Sequence, residues 1–302
     1  ITTFTVMKRL LLFSLIGLTV CAINAQTINK KRVEKVRNSV VRIIVDNSSS
    51  GTGFFVSPNG LMITNNHVIQ PAFIRDPQTN LITGVKKIMI EFNNGELLEM
   101  GVVDSFLNDS YVTGLVGDFI LLAPNTQTNK KFDYLLLGKW ADVHDGDFVY
   151  TAGFPFSVKQ QIITTGLFST KFENIIKVEN NGKSDFVKRK AAWLDMTLNA
   201  GNSGGPVIVM KGNQKRDRVI GIASFNLNPY AEQSKNLAYL FREATKALDP
   251  KLMNADKAVS LLFQSTAQNS MGISGAVNLD YIYLRLRQQN LIQQQKKLIE
   301  KF

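Results

Sequence analysis

Residues 199–208 read Asn-Ala-Gly-Asn-Ser-Gly-Gly-Pro-Val-Ile, and no other stretch restricts the chain so tightly. Ser203 lies in a run of small residues, Gly201, Asn202, Ser203, Gly204 and Gly205. The chain turns apolar directly afterwards, at Pro206, Val207, Ile208, Val209 and Met210. This pattern predicts a tight turn that feeds a buried strand. Such a turn holds a hydroxyl exposed on a fixed backbone. The amides of Gly201 and Ser203 can then point at one spot, suited to the negative oxygen that develops when the hydroxyl attacks a carbonyl. A glycine-rich hairpin turn that merely contains a serine is the competing reading, and the residues upstream weigh against it.

Upstream, short β-branched runs alternate with turns, which predicts many short strands. Residues 27–38 read as a short surface helix, and residues 39–45, Ser-Val-Val-Arg-Ile-Ile-Val, as the first strand. Residues 53–57 form a second, Pro58-Asn59-Gly60 a tight turn, and residues 61–64 a third that runs into Asn65-Asn66-His67. Residues 70–84 carry Pro71, Pro77 and Gly84 and read as an inserted surface loop. Residues 86–92 and 97–104 flank Asn93-Asn94-Gly95, a strong hairpin signal. Gly117-Asp118 then puts an acid at the head of the apolar run 119–122. Residues 148–155, 161–168, 218–225 and 237–241 read as further strands, and residues 171–190 as two short strand ends around Asn181-Gly182, with Lys188-Arg189-Lys190 as a solvated rim.

The chain has two histidines. His144 sits in the polar turn 140–147 and reads as a surface residue. His67 follows a buried strand, and an imidazole is suited to take and return a proton near neutral pH.

Gly201-Asn202-Ser203-Gly204-Gly205-Pro206 resembles the nucleophile loop of chymotrypsin-fold serine proteases of the Deg/HtrA type. Gly51-Thr52-Gly53-Phe54 and Ile63-Thr64-Asn65-Asn66-His67-Val68 are similar to further elements of that family. The resemblance covers roughly residues 33–241. It implies that His67 is the general base, that Asp118 is the orienting carboxylate, that Ser203 is the nucleophile, and that Gly201 and Ser203 form the oxyanion hole. Asp104 and Asp109 are weaker rivals of Asp118, since neither opens an apolar strand. The order His, Asp, Ser is that of the chymotrypsin fold. The resemblance further implies that Ser224, Phe225 and Asn226 form an edge that pairs with extended substrate. Thr197, six residues before Ser203, is implied at the base of the primary specificity pocket. Asp195 is the alternative there. The implied fold class is all-β: two six-stranded antiparallel β-barrels, with a C-terminal helical extension.

The 302 residues, 44% hydrophobic, are enough for one large core or two modest ones. The net charge of +11 comes without a basic run dense enough to demand nucleic acid, so no such partner is expected. Lys8 and Arg9, the apolar run 10–22 and Ala25 read as a secretory signal peptide behind a start at Met7, with Gln26 as the new terminus. A periplasmic or secreted protein without a stable transmembrane segment follows. A retained anchor and a lipoprotein at Cys21, where Val20 fits poorly, are the alternatives. Cys21 is the only cysteine, so the mature chain has no disulfide and no thiol nucleophile. No metal or cofactor is expected.

The division expected is signal peptide 1–25, protease domain 26–241 and helical extension 242–302, with residues 264–275 as a linker. Residues 279–302 carry Leu284, Leu291 and Leu298 at heptad spacing, as in a short coiled coil that associates copies of the chain or in a helix docked on the barrels. No peptide-binding PDZ domain is recognisable. The activity implied is endopeptidase action on unfolded or extended polypeptide. A non-enzymatic scaffold that keeps the fold, and an esterase that uses the same groups, stand as alternatives.

Overall fold

Short runs of β-branched and aromatic residues can bury an alternating face only by pairing edge to edge. In the computed structural model they close into two rings of six antiparallel strands. The structure describes residues 28–45, 48–79, 81–103, 117–180, 183–211, 217–226, 273–280, 282–283 and 286. The chain divides into two compact units, Ile1–Val33 and Glu34–Phe302, and both rings belong to the second.

A helix, α1 (Lys30–Ser39), leads in and buries Val36 and Ser39. The first barrel consists of β1 (Val40–Val45), β2 (Ser48–Phe55), β3 (Met62–Thr64), β6 (Ile88–Glu91), β7 (Leu97–Val102) and β8 (Ile120–Pro124). Its order is β1-β2-β3-β8-β7-β6, closed where Arg42 to Val45 pair with Glu91 to Ile88. Alternate residues of β1 and β6, namely Val41, Ile43 and Val45 with Ile88 and Ile90, enter one core with Phe55, Met62 and Leu122. Each such side chain contributes about 1.5–3 kcal/mol when fully buried. The Asn-Asn-Gly turn forms as expected. Gly95 has φ 83° and its amide donates to Phe92 O, while Phe92 and Glu96 close the loop.

Residues 70–84 depart from the expected irregular loop. Here β4 (Phe73–Arg75) and β5 (Ile82–Val85) form a separate two-stranded sheet, with Phe73 packed on the first core.

The second ring is built from β9 (Phe148–Gly153), β10 (Ile162–Asn180), β11 (Lys183–Asp195), β12 (Pro206–Val209), β13 (Arg218–Asn226) and β14 (Ile273–Asn278). Its order is β10-β11-β14-β13-β12-β9, and β9 pairs back with β10. The core holds Val149, Phe168, Leu194, Val207, Val209, Ile220 and Ala276. The β10–β11 ladder runs from Leu167↔Asp195 out to Asn180↔Lys183, far longer than two short strand ends. Its outer part exposes Ile175 and Phe186.

The last strand of this ring comes from beyond residue 241, the expected end of the protease domain. Residues 237–241, expected to close the barrel, lie outside the described residues. The sixth position is taken by Ile273–Asn278, within the stretch expected to be linker and helical extension. This segment pairs with β11 on one side and β13 on the other. A helical turn follows, in which Tyr283 N donates to Leu279 O, Ile282 and Leu286 are buried, and Tyr283 Oη donates to Gly138 O at 3.0 Å. Burial pushes the Tyr283 phenol pKa upward. Leu291 and Leu298 lie outside the described residues, as do the signal-like residues 7–25. Among the described residues no helix is long and apolar enough to cross a membrane.

Candidate active site

The geometry starts at the end of β3. Thr64 pairs with Gly53 on one side and with Ile120 on the other. The chain then passes through Asn65, in extended conformation, into a single helical turn, Asn66–Ile69. Val68 and Ile69 anchor this turn in the first core. His67 is thereby turned outward, with its side chain 44% exposed. The Thr64↔Ile120 pair brings the head of β8, and so Asp118, alongside.

Asp118 has φ 49°, a left-handed conformation that aspartate tolerates better than most residues. Asn65 Nδ2 donates to its carbonyl at 2.6 Å. Its buried carboxylate faces His67 Nδ1 at 3.0 Å from Oδ1 and 2.9 Å from Oδ2. The His67 backbone amide donates to Oδ1 at 3.3 Å, and Ser224 Oγ donates to Oδ2 at 2.5 Å. Because the carboxylate accepts, the proton is assigned to Nδ1, which leaves Nε2 for proton exchange. Arg189, buried on β11, also feels this charge. Burial pushes its guanidinium pKa down, and the Asp118 carboxylate opposes that shift.

Ser203 sits between two glycines in left-handed conformation, Gly201 at φ 99° and Gly204 at φ 86°. A Cβ on Gly204 would collide with Thr52 O and Thr64 Oγ1, and one on Gly201 with Phe154 O. Glycine is therefore required at both by conformation and by space. Inside the loop, Asn202 N donates to Asn199 O, Gly204 N to Ala223 O and Gly205 N to Asn202 O, each at 2.9 Å. The Gly201 and Ser203 amides have no acceptor among the described residues.

The loop docks on the barrel that carries the histidine. Thr52 N donates to Ser203 O at 2.9 Å. A Cβ on Gly51 would lie 2.9 Å from Ser203 O and 2.8 Å from the methyls of Val68, so the serine backbone stands beside the neighbour of His67.

The remaining expected residues fall around this centre. Ser224 was expected on a substrate-binding edge, yet its side chain serves Asp118. A β-bulge between Ala223 and Phe225 takes Ser224 out of the ladder and re-aims it. Phe225 and Asn226 pair with Gly275 and Ser274 through the backbone. On the opposite edge, pairing with the nucleophile loop ends at Ala223. Thr197 is exposed, and both its neighbours are pinned by one buried side chain, because Ser274 Oγ donates to Met196 O at 2.9 Å and accepts from Leu198 N at 3.0 Å. Asp195 is exposed on β11. Asp104 and Asp109 lie outside the described residues. His144 is an exposed turn residue, as expected.

Sequence reasoning missed Asn65, Thr52 and Ser274 as parts of the site. Thr52, inside Gly51-Thr52-Gly53-Phe54, and Asn65, inside Ile63-Thr64-Asn65-Asn66-His67-Val68, each lay in a family element and so carried a signal, whereas Ser274 carried none.

Residues 51–222, more than half of the chain, match the family of trypsin-like peptidase domains. The serine protease HTRA3 of Rattus norvegicus is 32% identical over 182 residues, which are 58% of this chain and 32% of that protein. The serine protease HTRA4 of Mus musculus is 32% identical over 201 residues, 63% of this chain and 35% of that protein. The chain thus spans about a third of the length of the curated relatives it matches. Among solved structures, the HtrA-type protease AlgW with decapeptide superposes with a TM-score of 0.52 at 17% identity, covering 87% of this chain and 66% of that chain, which shows a shared fold. Two six-stranded rings, a serine held between obligatory glycines against the histidine-bearing barrel, and a matched domain over residues 51–222 lead to one assignment: the chain belongs to the trypsin-like peptidase family, as a chymotrypsin-fold relative of the HtrA-type proteases.

Proposed function

We propose that the chain is a serine endopeptidase that cleaves extended polypeptide segments through an acyl-enzyme. The observation that carries this reading is the Asp118 carboxylate engaged with His67 Nδ1, while the Gly201 and Ser203 amides have no acceptor among the described residues. Ser203 Oγ attacks the scissile carbonyl and its proton passes to His67 Nε2. The carbonyl oxygen, now negative, accepts from the Gly201 and Ser203 amides. Collapse of the tetrahedral species expels the leaving amine, which takes the proton back from Nε2. Water, deprotonated by the same nitrogen, then releases the acyl group. Asp118 stays ionised throughout and stabilises the imidazolium. A fluorophosphonate that labels the wild-type chain but not Ser203→Ala tests this reading.

Among the described residues, pairing of this strand toward the Ser203 loop ends at Ala223, which supports residues 224–226 binding substrate as an added strand, a mode that demands an unfolded or looped segment. The primary pocket accepts small or medium uncharged side chains, because Thr197 offers a hydroxyl and a methyl but no charge to a buried substrate cation. One methylene in such a pocket is worth only about 1–3 kcal/mol, so the preference is broad. A peptide-library profile should centre on Val, Ala, Leu or Thr, and Thr197→Asp should shift it toward Lys and Arg. A wild-type profile dominated by Lys or Arg sinks the assignment and points to Asp195.

The basic and apolar residues 8–22 support export from the cytoplasm. Terminal sequencing of exported protein should begin near Gln26. Retention of residues 10–22 would instead indicate an anchor.

A further inference from the structure

We propose that Thr52 is a positioning residue for the reaction, clamping the nucleophile loop so that its two oxyanion-binding amides keep their direction. The proposal rests on the peptidase reading above.

Thr52 is fully buried on β2, the strand whose partner β3 delivers His67. Each polar group of the residue is engaged. Its amide donates to Ser203 O at 2.9 Å. Its hydroxyl donates to Gly201 O at 2.6 Å and accepts from Phe154 N at 3.2 Å. Its carbonyl accepts from Thr64 Oγ1 at 2.7 Å. One residue of the first barrel therefore holds carbonyls on both sides of Asn202, while tied to the strand before the histidine.

The amides that bind an oxyanion sit in the peptide units 200–201 and 202–203. In a trans peptide the N–H points opposite to the C=O, so whatever holds the oxygen aims the hydrogen. Phe156 N holds Ala200 O at 2.6 Å, and Gly205 N holds Asn202 O at 2.9 Å. These two contacts aim the Gly201 and Ser203 amides. The unit between them, 201–202, and the one that follows, 203–204, are the ones Thr52 holds. With all four units fixed, neither amide can rotate away. The demand is greatest at Gly201, whose missing side chain otherwise lets its backbone turn freely.

The experiment compares Thr52→Val, Thr52→Ser and Thr52→Cys in the full chain. The readouts are kcat and KM on an extended peptide amide, the affinity of a peptide boronic acid that forms the tetrahedral adduct, and the melting temperature. Removing one oxyanion donor outright typically costs about 100- to 1,000-fold, so loss of its alignment is expected to cost about 10- to 100-fold in kcat. KM stays within about twofold, and boronate affinity falls in parallel with kcat. Thr52→Ser restores kcat to within about threefold, and Thr52→Cys, a weaker donor, falls between the other two. A Val or Cys variant that melts lower but keeps its kcat and boronate affinity overturns the proposal, as does a Ser variant as slow as Val. Should Thr52→Val not fold, the Ser and Cys pair decides by the same criteria. Labelling by fluorophosphonate in the wild type and its loss in Ser203→Ala is the control. Its failure overturns the peptidase reading itself, and this proposal with it.

Discussion

Ser203→Ala leaves a folded protein that no longer turns over peptide and no longer reacts with a fluorophosphonate. Removal of the nucleophile in enzymes of this mechanism typically costs about 10⁶-fold in kcat, with only binding and the oxyanion site left to act. The fold is expected to survive because the Oγ serves none of the bonds that hold the loop. Those bonds run through the Ser203 carbonyl, the Thr52 amide and hydroxyl, and the amides of residues 202, 204 and 205. A melting temperature within a few degrees of wild type, together with undetectable turnover, is the expected pair of results. Residual activity within about tenfold of wild type would falsify the assignment of Ser203 and, with it, the direction of the whole mechanism.

Asp118→Asn is expected to cost about 10⁴-fold in kcat with little change in stability. The carboxylate accepts from His67 Nδ1, from the His67 backbone amide and from Ser224 Oγ. An asparagine of nearly the same volume keeps one acceptor oxygen, enough for Ser224 or the backbone amide. Its NH₂ group faces the ring, however, and a donor opposite Nδ1 forces the proton onto Nε2. The nitrogen that must take the serine proton is then already protonated. Measured kcat on a peptide amide, beside a thermal melt, checks this. A loss below about tenfold would mean that the carboxylate does not set the tautomer, and the search would move to residues 104–116. Ser224→Ala, by contrast, removes one of three donors and leaves His67 oriented, so the Asp118 substitution carries the larger effect.

Some of this machinery was legible because it depends on local demands. Gly201 and Gly204 occupy left-handed backbone beside a serine, and a Gly-Asn-Ser-Gly-Gly run advertises that requirement before any tertiary contact is known. The Asn93-Asn94-Gly95 hairpin is set by one residue at positive φ between two apolar runs. His67 could be placed because a short buried strand ends three residues before it, and Asp118 because it heads an apolar strand. What joined these residues into one reading was the resemblance of their motifs and their order, not their periodicity.

The sequence by itself therefore determined the all-β character, the turns, the first ring's strands and the residues proposed as base, carboxylate and nucleophile. Each is a demand on a few consecutive residues. Partners were decided only by tertiary structure. Ser224 serves Asp118 across 106 positions because a bulge in β13 re-aims it, and a bulge depends on the register of neighbouring strands. Thr52 reaches Gly201 across 149 positions because the nucleophile loop docks against β2. The closing strand is Ile273–Asn278, a short run of mostly small residues with little pattern of its own. It is a strand because β11 and β13 each leave an edge that closure of the ring must fill, and an unpaired buried edge would leave backbone amides and carbonyls without partners.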